Sequence, residues 1–197
     1  MTASTSALQL RNSQQAPFLT VRRIRRAIVA TAFVVAALAC LFGSHVLREV
    51  EAHTASLLIG WRFASDAMYT TVSGAPGVAF NVAGDWLSLP ITTDVTGTYA
   101  LAGTLILAAT IVILTPVSLT RVTVAFVFSA LTVAVVTQAR LLMLATTWGF
   151  SGTDAYYEAK SWSIVAGIAV GLLATAAAYA ILTRPRPRRG ARTVASP

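Results

Sequence analysis

The chain alternates between long uncharged apolar runs and two stretches that hold every acidic residue. The runs cover 27–47, 95–120, 122–139 and 161–183, which is 21, 26, 18 and 23 residues. About 20 apolar residues rising 1.5 Å each cross a hydrocarbon core of about 30 Å. The pattern therefore predicts an all-α membrane protein, a bundle of four transmembrane helices over 27–47, 95–115, 122–139 and 161–183. Glu49, Glu51, Asp66, Asp85, Asp94, Asp154 and Glu158 all fall in 48–94 and 140–160, the two expected outer loops.

The longer loop has its own periodicity. Val50, Leu57, Leu58, Trp61, Met68 and Val72 recur at intervals of three, four and seven, with Glu49, Glu51, Arg62 and Asp66 on other faces. This predicts an amphipathic helix at the outer interface or folded over the bundle. A buried fifth crossing is disfavoured, because Arg62 and Asp66 near its middle would cost roughly 2.5–3.5 kcal/mol each. Further on, Val78, Phe80 and Val82 alternate with small or polar residues, and Gly84-Asp85 signals a turn before Trp86, Leu87, Leu89 and Ile91. That reads as a short extracellular hairpin or loop. Asp94 then precedes a helix start, where a carboxylate is favoured. Pro116 and Arg121 mark a tight connection, and Trp148, Gly149, Gly152 and Tyr156-Tyr157 suit an interfacial segment. The ends, 1–26 and 184–197, are expected to be disordered basic tails.

Charge orients the bundle. Arg11, Arg22, Arg23, Arg25, Arg26, Arg121, Arg184, Arg186, Arg188, Arg189 and Arg192 fall on one side of the predicted topology. Arg48, Arg62, Arg140 and Lys160 share the other with all seven acids. Lys and Arg are retained beside cytoplasmic short loops, so both termini are expected in the cytoplasm and the protein in the plasma membrane. The surplus of arginine is then a topology signal with affinity for the lipid bilayer, and no motif calls for nucleic acid. Charged residues make up 11% against roughly 25% in soluble domains, too few to cover a water-facing surface.

Cys40 is the single cysteine, which excludes an internal disulfide or a thiolate metal cluster. Ala37-Leu38-Ala39-Cys40 has the look of a lipoprotein cleavage box, but the apolar run continues beyond it and the region before it is long for a secretory leader. No metal site, phosphate loop or cofactor motif is present, so the expected cofactor and metal are none.

The predicted topology gathers Asp94, Thr96 and Gly97 with Arg140 and with Lys160, Ser161 and Ser163 at the outer rim. The segment Ile91-Thr-Thr-Asp-Val-Thr-Gly97, then Thr137-Gln138-Ala139-Arg140, then Ser163-Ile-Val-Ala-Gly167 resembles the core of the exosortase and archaeosortase family over roughly 49–171. The resemblance implies a multi-pass transpeptidase that processes C-terminal sorting tails of exported proteins. In that family the second core helix opens with a Cys-Ser/Thr-Gly motif carrying the nucleophile, the next ends in an Asn-x-x-Arg-like motif, and the following one begins with a His shortly before a Gly. Carried onto this chain, the cysteine falls on Val95, the arginine on Arg140 and the histidine on Ser163 or Trp162. Val95 offers no nucleophile and Ser163 no base near neutral pH.

Two function classes follow. One is a protein-sorting peptidase-like pseudoenzyme that retains peptide-tail or lipid binding through Arg140. The other is a non-enzymatic assembly or scaffold subunit, with Gly167 and Gly171 as a close-packing face for a partner membrane protein. Asp94, Thr96, Lys160 and Ser163 are the candidates for a substitute hydroxyl site, and His45 and His53 are the only imidazoles that could approach it. No ionisable residue sits mid-span, which argues against a transporter or channel.

Overall fold

The computed structural model describes residues 3–63 and 66–183, with side chains from Val21 onward. The order is α1 (Ala3–Phe42), α2 (Ser44–Phe63), β1 (Ala67–Val72), β2 (Ala75–Val82), β3 (Asp85–Pro90), α3 (Thr98–Leu114) and α4 (Leu119–Thr183). Two stretches, Val21–Phe42 and Leu119–Ile181, are long and apolar enough to cross a membrane; α3 is apolar but shorter.

α4 is two arms joined at Gly152, whose φ of 84° and ψ of −175° interrupt the helix. That region is essentially reserved for glycine. The arms fold back as an antiparallel hairpin, because contacts join residues nearly equidistant from Gly152. Trp148 stacks on Tyr156 with ring centroids 4.6 Å apart, Arg140 reaches Ser163, and Tyr179 packs with Val122 and Ala125.

α1 and α3 also run antiparallel. Ala30 meets Ala108, Ala109 and Val112, and Ala37 meets Ala102 and Leu105; these small side chains let the two backbones approach closely. Arg26 closes one end of the pair by donating from Nη1 to Thr115 O at 2.7 Å and from Nη2 to Val117 O at 2.5 Å. The bundle thus has a basic end, with Arg22, Arg25, Arg26 and Arg121, and an acidic end capped by α2 and the sheet.

The sheet is an antiparallel meander in the order β1-β2-β3. Its two-residue turns, Ser73-Gly74 and Ala83-Gly84, all have positive φ, as the twist of a tight hairpin requires. Val78, Phe80 and Leu89 point inward against Ala52, Ala55 and Ile59 of α2 and Leu141, Leu144 and Ala145 of α4. Each large apolar side chain fully buried there contributes roughly 1.5–3 kcal/mol, so this small core clamps the acidic end.

Several expectations change. The expected hairpin is a three-stranded sheet, and Met68 and Val72 belong to β1; the helix stops before Asp66 because β1 finds a partner in β2. The apolar stripe of α2 faces outward: Val50, Leu57 and Trp61 are 59%, 76% and 82% exposed, while Ala52, Ala55, Ser56 and Ile59 are buried. Small residues permit the close packing that the bulky stripe would prevent. The expected outer loop 140–160 is helical on both sides of Gly152, because Leu141, Leu144 and Ala145 continue the helical apolar period beneath the sheet. The apolar run at 27–47 is divided at Gly43 between α1 and α2, and the run at 95 becomes helical only at Thr98. The stretch 1–26 is helical from Ala3 rather than a disordered tail, since its Ala, Leu, Gln and Arg content suits continuation of α1. The expected Arg/Pro tail, 184–197, lies outside the described residues.

Replacing Gly152 by Ala tests the hairpin. A Cβ there meets nothing within 4 Å, so the expected loss of about 1–3 kcal/mol is purely backbone strain. It should appear as a lower melting temperature in detergent, whereas Gly103→Ala, at an equally open helical position, should not lower it.

Candidate functional site at the acidic end

The start of α3 is held by two charged side chains from other helices. Arg140, on the first arm of α4, donates from Nε to Ser163 Oγ at 3.0 Å, and from Nη1 to Asp94 O at 3.1 Å and Val95 O at 3.4 Å. One guanidinium therefore ties both arms of α4 to the segment before α3. Its Nη2 is buried without a partner. Burial lowers the pKa of Arg140, with the charges of Asp94 and Tyr156 opposing that fall; an arginine remains cationic in any case.

The second is Glu51 of α2, which the sequence reading passed over. Its Oε1 accepts from Gly97 N at 3.0 Å, satisfying one of the orphan N–H groups at the α3 N-terminus, where the helix dipole favours negative charge. Gln138 Nε2 donates to the backbone O of Glu51 at 3.3 Å. Burial pushes the Glu51 carboxyl up, while hydrogen bonds from Thr96 and Gly97 and the charge of Arg48 work against that rise. Glu51 Oε2 and Gln138 Oε1 are both buried without partners. A signal was present: Glu51 stands four and eight residues before Ala55 and Ile59, on the face of small residues that turns inward.

Asp94, expected to serve the helix start, does not reach it. Its carboxylate accepts from Thr92 Oγ1 and pairs with Lys160 Nζ at 3.0 Å. Burial alone would raise its pKa, but the hydrogen bonds from Thr92 and Lys160 and the lysine's charge prevail and lower it. Gly97 is required where it stands, since a Cβ would collide with Thr137 Oγ1 and crowd Val133 and Glu51.

The structure brings Asp94, Val95, Thr96, Arg140, Lys160 and Ser163 to one rim. Val95 is buried and supplies only its carbonyl. Ser163 is buried against Arg140, whereas Trp162 is exposed, so Ser163 occupies the position facing the guanidinium. Thr96 Oγ1 accepts from Thr98 N at 3.2 Å and lies 2.8 Å from Thr98 Oγ1, which makes its hydroxyl part of the turn into α3. The histidines are elsewhere: His45 Nδ1 lies 3.3 Å from Glu49 Oε1 and His53 stacks on Tyr69. Among the described residues no group of three or more His, Cys, Asp or Glu could hold a metal.

Beside Arg140 lies a cavity of about 290 Å³ lined by Asp94, Thr96, Tyr99, Arg140, Gly167 and Gly171, among others. It adjoins an apolar cavity of about 370 Å³ along Gly103, Leu107, Leu172 and Thr175. The pair form a groove between α3 and the second arm of α4, polar at the rim and apolar below. Such a shape suits an elongated ligand with an anionic end, for which Nη2 is the one guanidinium nitrogen left without an acceptor.

No protein-family model, curated protein or solved structure matches this chain.

The Glu51 contact makes a pH prediction. A carboxyl whose pKa is raised on folding stabilises most below its ordinary value, and that contribution declines as pH climbs through the raised one. Glu51→Gln keeps an oxygen for Gly97 N–H and removes the titration, so it should flatten the fall in melting temperature above about pH 4. Glu51→Ala should cost about 1–3 kcal/mol by leaving that buried N–H unpaired. Thermal melts of the three proteins in detergent across this pH range check both.

Proposed function

We propose that this chain is a four-span plasma-membrane protein resembling exosortases and archaeosortases, whose outward pocket binds the anionic end of a peptide tail without cysteine chemistry. The single observation that carries the reading is Arg140, cationic, lining the groove, and with a buried Nη2 that has no partner.

Several features support the membrane setting. Val35, Phe42, Phe128, Leu131, Leu172 and Leu173 are all more than half exposed, an apolar surface rarely tolerated in water. The two arms of α4 each exceed the length of one crossing, and α1 supplies another. The 17 residues of α3 rise about 25 Å, and uncharged residues at both ends extend that reach. With arginines at one end of the bundle and carboxylates at the other, the basic end is cytoplasmic by the positive-inside rule. The outward stripe Val50, Leu57 and Trp61 then lets α2 rest on the outer interface.

Chemistry at the pocket is limited by its residues. Val95 and Ser163 stand where the family's nucleophile and base would stand, and Thr96 is committed to the turn into α3. What remains is recognition: Arg140 held in a fixed orientation by three acceptors, and Lys160 already neutralised by Asp94. An assembly subunit is the second reading, favoured by Gly171, where an added Cβ would meet nothing within 4 Å, so that the groove it lines has room for a partner's side chain. Crosslinking in membranes followed by size analysis separates a stable assembly from a lone pocket-bearing chain.

Co-expression with a fusion bearing a candidate C-terminal sorting tail should give capture without cleavage. Arg140→Ala should weaken capture by about 2 kcal/mol, roughly thirtyfold, and Arg140→Lys should restore little because one ammonium cannot replace the bonds to Ser163, Asp94 and Val95 and also present a further donor to the ligand. Tail cleavage that disappears in Thr96→Ala would replace the pseudoenzyme reading with a hydroxyl nucleophile. For topology, in a Cys40→Ala background, Thr93→Cys should react with an impermeant maleimide in intact cells and Ser118→Cys only after permeabilisation.

A further inference from the structure

We propose that the basic end of the bundle carries a second, separate site, which binds the phosphate headgroup of an anionic phospholipid. The inference takes up the membrane reading above but uses none of the residues of the Arg140 pocket.

The site follows from helical spacing. Arg22, Arg25 and Arg26 stand at i, i+3 and i+4 and so share one face of α1. Together with Val117, Ser118, Leu119 and Thr120 they line a cavity of about 490 Å³ between α1 and the α3–α4 connection. The three arginines have different positions in it. Arg26 is committed, since its two donated bonds hold Thr115 and Val117 against α1 and so form the cavity wall. Arg22 and Arg25 are exposed, and the carboxylate pairs formed among the described residues, His45 with Glu49 and Lys160 with Asp94, both lie at the opposite end.

Three guanidinium groups within one turn repel one another unless an anion sits between them. The wall opposite Arg22 and Arg25 offers hydroxyls: Ser118 Oγ accepts weakly from Arg121 N at 3.4 Å and keeps its own proton to donate, and Thr120 lies beside it. Two arginine forks and two hydroxyls make a donor set suited to phosphate oxygens.

The surroundings select a lipid phosphate over a free one. Val21, Val117 and Leu119 form an apolar rim to the cavity. From it Val21, Ile24 and Ile28, exposed by 64%, 54% and 63%, run along α1 as a single stripe toward the middle of the bundle. A phospholipid seated here would place its phosphate among the arginines and its acyl chains on that stripe. Basic pockets at the cytoplasmic ends of spans commonly hold anionic headgroups in this way.

The test uses the full chain purified in detergent, titrated with phosphatidylglycerol and phosphatidylcholine of matched chains and read by native mass spectrometry. Phosphatidylglycerol should bind about thirtyfold more tightly, about one and a half powers of ten for two arginines near a headgroup. Arg22→Gln combined with Arg25→Gln should abolish that preference, and so should Ser118→Asp, which sets a carboxylate in the cavity while leaving Arg26 and its bonds in place. Circular dichroism confirms that each variant is folded. Equal affinity for the two lipids, or a preference that survives both variants, overturns the site. Inorganic phosphate that displaces the lipid and binds alone with the same arginine dependence overturns the lipid assignment. Extraction of native membranes with alkaline carbonate keeps the two readings apart: release of the protein sinks the membrane reading, while retention without lipid preference sinks this site only.

Discussion

The acidic end of this molecule depends on one guanidinium. Arg140, on the first arm of α4, reaches the second arm and the segment entering α3 at the same time, through Ser163 Oγ, Asp94 O and Val95 O. Two of those acceptors are backbone carbonyls just before a helix, groups with no ladder partner of their own. Even a half-buried charge is costly unless hydrogen bonds surround it, so the three bonds and the fixed backbone stabilise one another. Glu51 completes the arrangement from the opposite side. Its carboxyl takes the Gly97 N–H, so the first turn of α3 lies between an acceptor on its donor groups and a cation on the carbonyls that precede it.

This arrangement also explains why the residues stand where they do. Gly97 lets α3 start against Thr137, a distance too short for any Cβ. Gly152 folds α4 back so that Ser163 comes level with Arg140. The sheet and α2 then close over Leu141, Leu144 and Tyr156 and fix the height of that arm. Each element contributes to setting the Arg140 guanidinium at a rim that lacks a thiol or an imidazole.

Much of this was legible in the sequence. The uncharged runs marked the apolar helices, the separation of acids from arginines marked the two ends, and the spacing of Asp94, Arg140 and Ser163 marked a convergence that the coordinates contain. What stayed hidden has physical causes. Helical period alone does not say which face of α2 packs inward, and here the bulky face turns out while alanines turn in. The composition of 148–157 looked like a loop because aromatics and glycines replace the aliphatic period there, although Trp148 and Tyr156 stack on each other across Gly152 and pack on the core beneath the sheet. β1 was invisible because Met68 and Val72 continue a helical interval by coincidence, and only pairing with β2 decides between the two. Glu51 escaped notice for a related reason: acids on an amphipathic helix are ordinarily solvated, and its role depends on a contact with Gly97, 46 residues away.

The two ends of the bundle use the same chemistry with opposite emphasis. At the acidic end one arginine is nearly saturated by acceptors, leaving a single nitrogen, Nη2, without a partner. At the basic end Arg26 is saturated in the same way, by Thr115 O and Val117 O, while Arg22 and Arg25 are left to the surroundings. A saturated arginine builds the wall, and an unsaturated one keeps donors to spare, because a guanidinium carries five N–H groups. The division follows from helix geometry: the residue pointing straight at the neighbouring connection is consumed by its free carbonyls, and those a turn earlier extend past it.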